Sequence, residues 1–545
     1  MRFIKSWQLV LSVSIIIAFS FLFSVLYKDA TAFPKENWSR AIAIDKIENV
    51  EDTESYYQPY FDIETDDSYI YIGQILNDTF KLTVYDSLLN VINDYAYPLS
   101  LNGNTVGQMS LIKNNGGFDL FLFSNKTLMR KSFSQDLSVV TADETIASNI
   151  DQIVLKKQYA VYQIGDDFYN INNLKQSFMF TRDDVEGFDF DINPESQKLY
   201  LSLMTYQNGK YYANAGIYDY VSDQMVLNEL RALKSPSSTV PLEIESYYAN
   251  GNLYTIFSLK NTKYGQNLNN FLMISGDNLQ IAADNEFSNN SYSPKFQFNN
   301  FNDQTVLTFS DLSFIGKTDV GSQTKSFSNI LISPTFDMIT TPLTNSQYFA
   351  PNKVLINFKG YQYLISNEYA SAVNTLYVNS NHPDLMLKSQ HLNRDQLISI
   401  VFNSLTYIPA SLMALFAPLI VLVFPVVVII LPIAIFKMSW AEKNQKKMLW
   451  IAIGVYLLSK IYYFYSNHSD FIIANAGLGA EPYHIANAFN FILFGIFTSL
   501  ISLGCLHFYT QKKINPYFIN QFAFFYAMEL IQMLFYFVIY TVMYL

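Results

Sequence analysis

Cysteine is almost absent. One residue, Cys505, is found in 545. That excludes a disulfide framework and any Cys-rich zinc or iron–sulfur centre. Histidine is nearly as scarce. The five are His382, His391, His468, His484 and His507, so residues 28–381 contain none. A Ser-His-Asp triad and a His-ligated metal are therefore excluded over that stretch. Charged residues make up only 15 % of the chain, and the net charge of −11 leaves no dominant basic face for nucleic acid. What the chain has in quantity is apolar and aromatic: 50 % hydrophobic residues and 16 % Phe, Trp and Tyr. A disordered chain has the opposite composition.

The hydrophobicity is unevenly placed. Residues 7–27 hold no charge and are long enough for a ~30 Å hydrocarbon core. Arg2 and Lys5 precede them, which predicts a cytoplasmic N-terminus (1–6) and an uncleaved signal anchor (7–27), with cleavage at Ala30-Thr31-Ala32, which resembles a signal-peptidase site, as the alternative. Four further apolar blocks cover 411–436, 448–465, 485–509 and 518–544. Lys437, Lys443, Lys446 and Lys447 in the first link and Lys512 and Lys513 in the third fit the positive-inside rule. The middle link, 466–484, has Asp470 and Glu481 and no Lys or Arg. The expectation is one N-terminal and four C-terminal transmembrane helices in a cell membrane, with residues 28–396 and the C-terminus outside. Residues 397–410 form a juxtamembrane segment, and 411–545 a four-helix transmembrane domain.

Residues 28–396 hold 26 Lys and Arg against 42 Asp and Glu, so the acidity belongs to this part. Its lack of Cys and its many Asn, Ile, Lys, Tyr and Phe residues suggest a bacterium without an outer membrane. Short alternating runs, bounded by Asn, Asp, Gly and Ser, predict strands. Examples are 68–77, 79–88, 118–124, 159–165, 198–206, 252–259, 304–310 and 353–358. A recurrence of roughly 40–50 residues with four short strands per repeat is the signature of propeller blades. The turn and strand from Asp191 to Ser202 resemble those of bacterial extracytoplasmic β-propeller repeats, in architecture only. The resemblance implies an all-β propeller of about seven blades, with eight or a two-sheet sandwich array as alternatives. It brings no functional residues with it.

Few residues stand out as chemistry. Asp189, Asp191 and Asn193 begin like a calcium loop, but Pro194 stands where Gly is needed and Tyr200 where Glu is needed. They read better as a solvated turn, as do Asp166, Asp167, Asp183 and Asp184. His382, His391, His468 and His484 flank the expected outer membrane surface and form a weak candidate cluster for a metal or a pH-sensitive contact. Separate exposed imidazoles are the plainer reading. Lys460 and Glu529 fall at equal depth in two expected spans, so a buried ion pair between them is predicted. Pro418, Pro425 and Pro432 recur every seven residues and predict a kinked helix. Tyr56-Tyr57, Tyr211-Tyr212 and Tyr247-Tyr248 offer rings for stacking or packing.

No cofactor is implied, and no catalytic residue stands out. The expected function is a non-enzymatic envelope protein whose propeller binds or scaffolds. Its expected partners are the lipid bilayer, another membrane protein and an envelope polysaccharide or peptide, and not nucleic acid. A carboxylate-based hydrolase or lyase, or transport or lipid handling by the bundle, are the alternatives. Inner-strand Asp and Glu converging in the propeller would favour the enzyme.

Overall fold

The computed structural model describes residues 38–47, 60–76, 78–99, 101, 106–233, 238–262, 267–290, 295–301, 304–311, 326–331, 339–342, 353–370, 373–392, 394–466, 488–511 and 517–544, with a few positions between 16 and 27. They divide into two compact units. One is built from residues within 33–313 and 325–390, the other from residues within 1–32 and 391–545.

Among the described residues the first unit is all-β apart from one short helix. Among the described residues its strands form seven four-stranded antiparallel sheets. Six of them take their strands in chain order. The first strands are β2 (Tyr60–Thr65), β6 (Val106–Asn114), β10 (Gln152–Lys156), β14 (Val185–Asn193), β18 (Thr239–Ala249) and β22 (Gln297–Phe301). The seventh sheet starts with β26 (Lys353–Phe358), β27 (Tyr361–Ala370) and β28 (Val373–Ser380). Its fourth strand is the N-terminal β1 (Ile42–Ile47), which pairs with β28 from Ile42↔Val378 to Ile47↔Asn374. Each first strand lies against the first strand of the next sheet, and β26 lies against β2. The ring is thus closed, as in a propeller, and closure leaves only short protected edges.

The local chemistry explains the repeat. Second strands are enclosed on both faces by neighbouring sheets, so β15 (Lys198–Gln207) and β19 (Asn252–Asn261) are buried almost throughout. Outer strands such as β17 (Gln224–Leu233) are mostly exposed or half-buried. Short polar side chains close the turns. Asp86 Oδ1 accepts from the amides of Leu88 and Asn90, and Asp219 Oδ1 from those of Val221 and Ser222. Such Asx turns are why acids recur between strands. Gly117 opens β7 (Gly117–Ser124) at φ 154°, where an added Cβ would lie 1.9 Å from the Phe133 carbonyl oxygen. After β28 the helix α1 (Pro383–Gln390) packs Leu385 into the core between the first and seventh sheets.

The second unit is helical: α2 (Arg394–Phe436), α3 (Met438–Lys443), α4 (Gln445–Ser466), α5 (Ala488–Gln511) and α6 (Phe518–Tyr544). Its core joins Leu422, Val426 and Ile430 of α2 to Tyr456 of α4, Leu506 of α5 and Phe525 of α6. Among the described residues, no helix is long and apolar enough to cross a membrane. That finding overturns the expected transmembrane helices of the C-terminal part, and with them the cell-membrane location and the inside–outside topology, whereas the expected signal anchor falls mostly outside the described residues. The physical reason is that a run of hydropathy alone does not separate a lipid-facing helix from one that pairs polar groups inside a bundle. Most of 7–27 and all of 467–487 lie outside the described residues. Helix α2 runs unbroken through residues 397–410.

Candidate functional site

The densest chemistry of the β unit lies where the first strands meet. On β14, Asp189 and Asp191 are two residues apart, so they share one face of the strand. Asp189 is 2 % exposed. Its Oδ2 accepts from the Ser246 amide of β18 at 2.5 Å, and Asp191 Oδ2 accepts from the Tyr248 amide at 2.7 Å. Glu243 of β18 repeats the device toward β22, accepting from the amides of Lys295 (2.9 Å) and Phe296 (3.1 Å). Asp62 of β2 accepts from the Leu111 amide of β6 at 2.8 Å. Gln108 of β6 and Gln297 of β22 do the same with the amides of Leu155 and Leu355. A side-chain oxygen on one first strand thus takes a backbone N–H on the next first strand at four of the seven junctions, and just before it at a fifth, β18–β22. The β10–β14 junction uses an ion pair instead.

That pair is centred on Lys156. Its Nζ donates to Asp189 Oδ2 at 2.7 Å and to the Ser246 carbonyl at 2.9 Å, and lies 3.6 Å from Glu245 Oε1. Burial opposes its charge, but Asp189, Glu245 and Asp191 overcome this and hold its pKa above the ordinary lysine value. The same burial raises the carboxyl groups of Asp189, Asp191 and Glu243 above the usual range, and Glu245 well above it. On the far side, Lys157 Nζ lies 3.1 Å from Glu64 of β2. Apart from Glu245 and Glu64, these carboxylates are therefore bonded to backbone. Among the described residues, no group of His, Cys, Asp and Glu could hold a metal ion.

Sequence reasoning placed Asp189 and Asp191 in a solvated turn, and the structure corrects this: both belong to a first strand, Asp189 buried and Asp191 half-buried. It passed over Asp62, Glu64, Glu243, Glu245 and Lys156. A legible signal existed. The paired acids Asp62/Glu64, Asp189/Asp191 and Glu243/Glu245, each two apart, all fall in first strands. Asp183 is exposed outside the strands, as a turn residue should be.

The remaining candidates are dispersed. His382 caps α1, its Nδ1 accepting from the Asp384 amide at 3.2 Å, and its ring lies 4.4 Å from that of Tyr361. His391 is exposed in the other unit. His468 and His484 lie outside the described residues, as do Tyr56 and Tyr57. Tyr248 stacks on Tyr200 at 4.0 Å and both hydroxyls donate to Asp277, so these rings are packing groups. Pro418, Pro425 and Pro432 all lie in α2, with Pro425 half-buried and Pro432 exposed.

In the helical unit the structure brings Lys460 of α4 and Glu529 of α6 together. Lys460 Nζ is 2.5 Å from Glu529 Oε2, and the two residues are 2 % and 0 % exposed. The ammonium also reaches Thr498 Oγ1 (2.7 Å), Ser499 Oγ (2.9 Å) and the Gly495 carbonyl (3.0 Å) of α5. Both hydroxyls donate to that carbonyl, which frees their lone pairs for the ammonium. The Tyr456 hydroxyl donates to Glu529 Oε2 at 3.3 Å. Beside this cluster, Leu457, Ile461, Ile496, Leu500 and Leu503 wall an apolar cleft of about 110 Å³.

No known protein family matches the chain. No curated protein matches it either. Among solved structures it is similar to an ancestral GH74 enzyme, at 10 % identity and a TM-score of 0.38 over 59 % of this chain. The chain spans about half of that enzyme's length, 47 %. It is similar to the WD40 domain of Toxoplasma gondii coronin, at 10 % identity and a TM-score of 0.35, covering 66 % of this chain and 92 % of that one. It is also similar to Kuenenia stuttgartiensis hydrazine synthase, at 9 % identity and a TM-score of 0.32, covering 52 % and 80 %.

Proposed function

We propose that the β unit is a non-catalytic binding or scaffolding module. One observation carries this reading: the carboxylates at the strand junctions, buried at Asp189 and half-buried at Asp62, Asp191 and Glu243, are engaged by backbone amides of the next sheet. Asp62, Asp189, Asp191 and Glu243 each hold a neighbouring strand. A general acid or base needs a group within reach of a substrate proton, and these four are already committed. The acidic surplus of residues 28–396 suits a partner, peptide or polysaccharide with a basic face.

The test is mild cross-linking of the full chain in its native extract, then co-purification and mass spectrometry. A stoichiometric partner cross-linked to strands or turns of the β unit is expected, lost progressively as salt is raised. A second reading rests on Glu245, whose burial raises its carboxyl group as a general acid requires. Recovery of the chain alone, with turnover of a glycoside or ester that E245Q abolishes, would overturn the binding reading in favour of an enzyme.

A further inference from the structure

The outward sides of α4 and α5 carry one apolar face. On α4, Trp450, Leu458, Ile461 and Tyr465 fall on one side of the helix at 3.6 residues per turn. On α5, Ile496, Phe497 and Leu500 do the same. All seven are between 41 % and 70 % exposed. Gly454 and Gly504 lie on the same sides, and a Cβ added to either would meet nothing within 4 Å. Among the described residues, then, nothing covers this face. Its seven side chains expose on the order of 700 Å², close to the roughly 800 Å² that each partner of a standard interface buries.

The face holds both a hole and a knob. The apolar cleft of about 110 Å³ opens between Ile461 of α4 and Ile496 and Leu500 of α5. A closed apolar cavity of about 150 Å³ takes a benzene ring, so this open cleft has room for one aromatic side chain. Phe497 stands at its rim, next in the chain to Ile496 and itself exposed. Charge is missing from the face. Across 448–466 and 488–506 the one charged residue is Lys460, which is buried and paired with Glu529. A surface that meets its own copy across a two-fold axis sets like against like. A charged face would repel itself there, and this one does not. We infer that a second copy of this chain covers the face, in a two-fold dimer that seats Phe497 of each copy in the cleft of the other. The inference rests on the helical unit alone and is independent of the binding role of the β unit.

Sedimentation of the full chain reads the oligomeric state. A particle of twice the chain mass is expected, with a dissociation constant that is micromolar or tighter. L500E puts a carboxylate on each facing surface and should weaken association about 100-fold or more. Leu500 is exposed, so the helical circular dichroism of the variant should match that of wild type. A photo-crosslinking residue at position 500 of the full chain reads the occupant in native extract. Its adduct should join two copies through peptides of 445–466 and 488–511. Should L500E fail to fold, that adduct carries the test without it. A chain that sediments as a monomer at every concentration would overturn the proposal. So would a different protein or a lipid captured at position 500 in place of a second copy. A folded L500E that dimerises as tightly as wild type overturns it equally.

Discussion

Lys156 of β10 donates 2.7 Å to Asp189 of β14, and Asp189 in turn accepts the Ser246 amide of β18. One carboxylate thus ties three consecutive sheets together. It does so with a charge that is 2 % exposed and has one cation in contact.

Removing that cation should be costly. K156M leaves Asp189 buried without its counter-charge, and breaking a buried pair from one side costs about 3–5 kcal/mol. Thermal melting of the variant should show the loss. A double variant K156M/D189N should recover part of it, since Asn can still accept from Ser246. If the double variant melts no higher than the single one, Asp189 does not depend on Lys156.

Glu245 gives a pH signature of definite sign. Its folded carboxyl group is raised by burial, so the folded state holds its proton more tightly than the unfolded one. The stabilisation is fully present below the unfolded value of about 4.3 and is lost as pH rises through the folded value. E245Q removes this dependence. The variant should melt a few degrees higher than wild type at neutral pH, with the advantage disappearing on acidification. An equal melting difference at both pH values would show that burial does not govern the group.

The junction belt can be tested at Asp62. Asp62 accepts from the Leu111 amide at 2.8 Å. D62A strands that amide and should cost about 1–3 kcal/mol, whereas D62N keeps an acceptor and should cost less than half as much. Hydrogen exchange at Leu111 reads the bond directly, with faster exchange expected in D62A alone.

Trp38 is 4 % exposed and packs on Leu355 and Leu364 of the seventh sheet. W38A should cost about 3–5 kcal/mol by cavity formation. Because Trp38 leads into β1, limited proteolysis should cut the variant first near residues 38–47.

In the helical unit, K460M should destabilise more than the double variant K460M/E529Q, because the single change leaves the buried Glu529 carboxyl group without its counter-charge. Near-equal melting of the two would mean that the carboxylate finds another partner.

The parts legible in the sequence are those set by local physics. Second strands such as Lys198–Gln207 are buried on both faces, so they read as apolar runs. Turn acids such as Asp86 and Asp219 announce strand ends because their oxygens cap the next amides. First strands were harder. Asp189 and Asp191 alternate with Phe188, Phe190 and Ile192, a strand pattern with carboxylates on its inner face, and acids in that rhythm resemble an ion-binding loop. The partners that explain them, Ser246 and Tyr248, lie 57 residues away. No local pattern announces an acceptor that serves another blade. The helical unit misled in the other direction, because hydropathy averages over Lys460, Thr498, Ser502 and Glu529 without registering that they satisfy one another.

The seventh sheet is assembled from both ends of the β unit, with Ile42 beside Val378. The strand synthesised first therefore waits, unpaired, until the strand synthesised last has emerged. Ring closure is a late and strongly non-local event, which makes for slow folding. Once β28 has emerged, and until β1 docks, it presents a vacant edge of the kind that recruits foreign strands. A second copy of the chain carries the matching strand. Crowded synthesis should thus favour exchange of β1 between copies, with Trp38 travelling along as the plug that makes the trade hard to reverse.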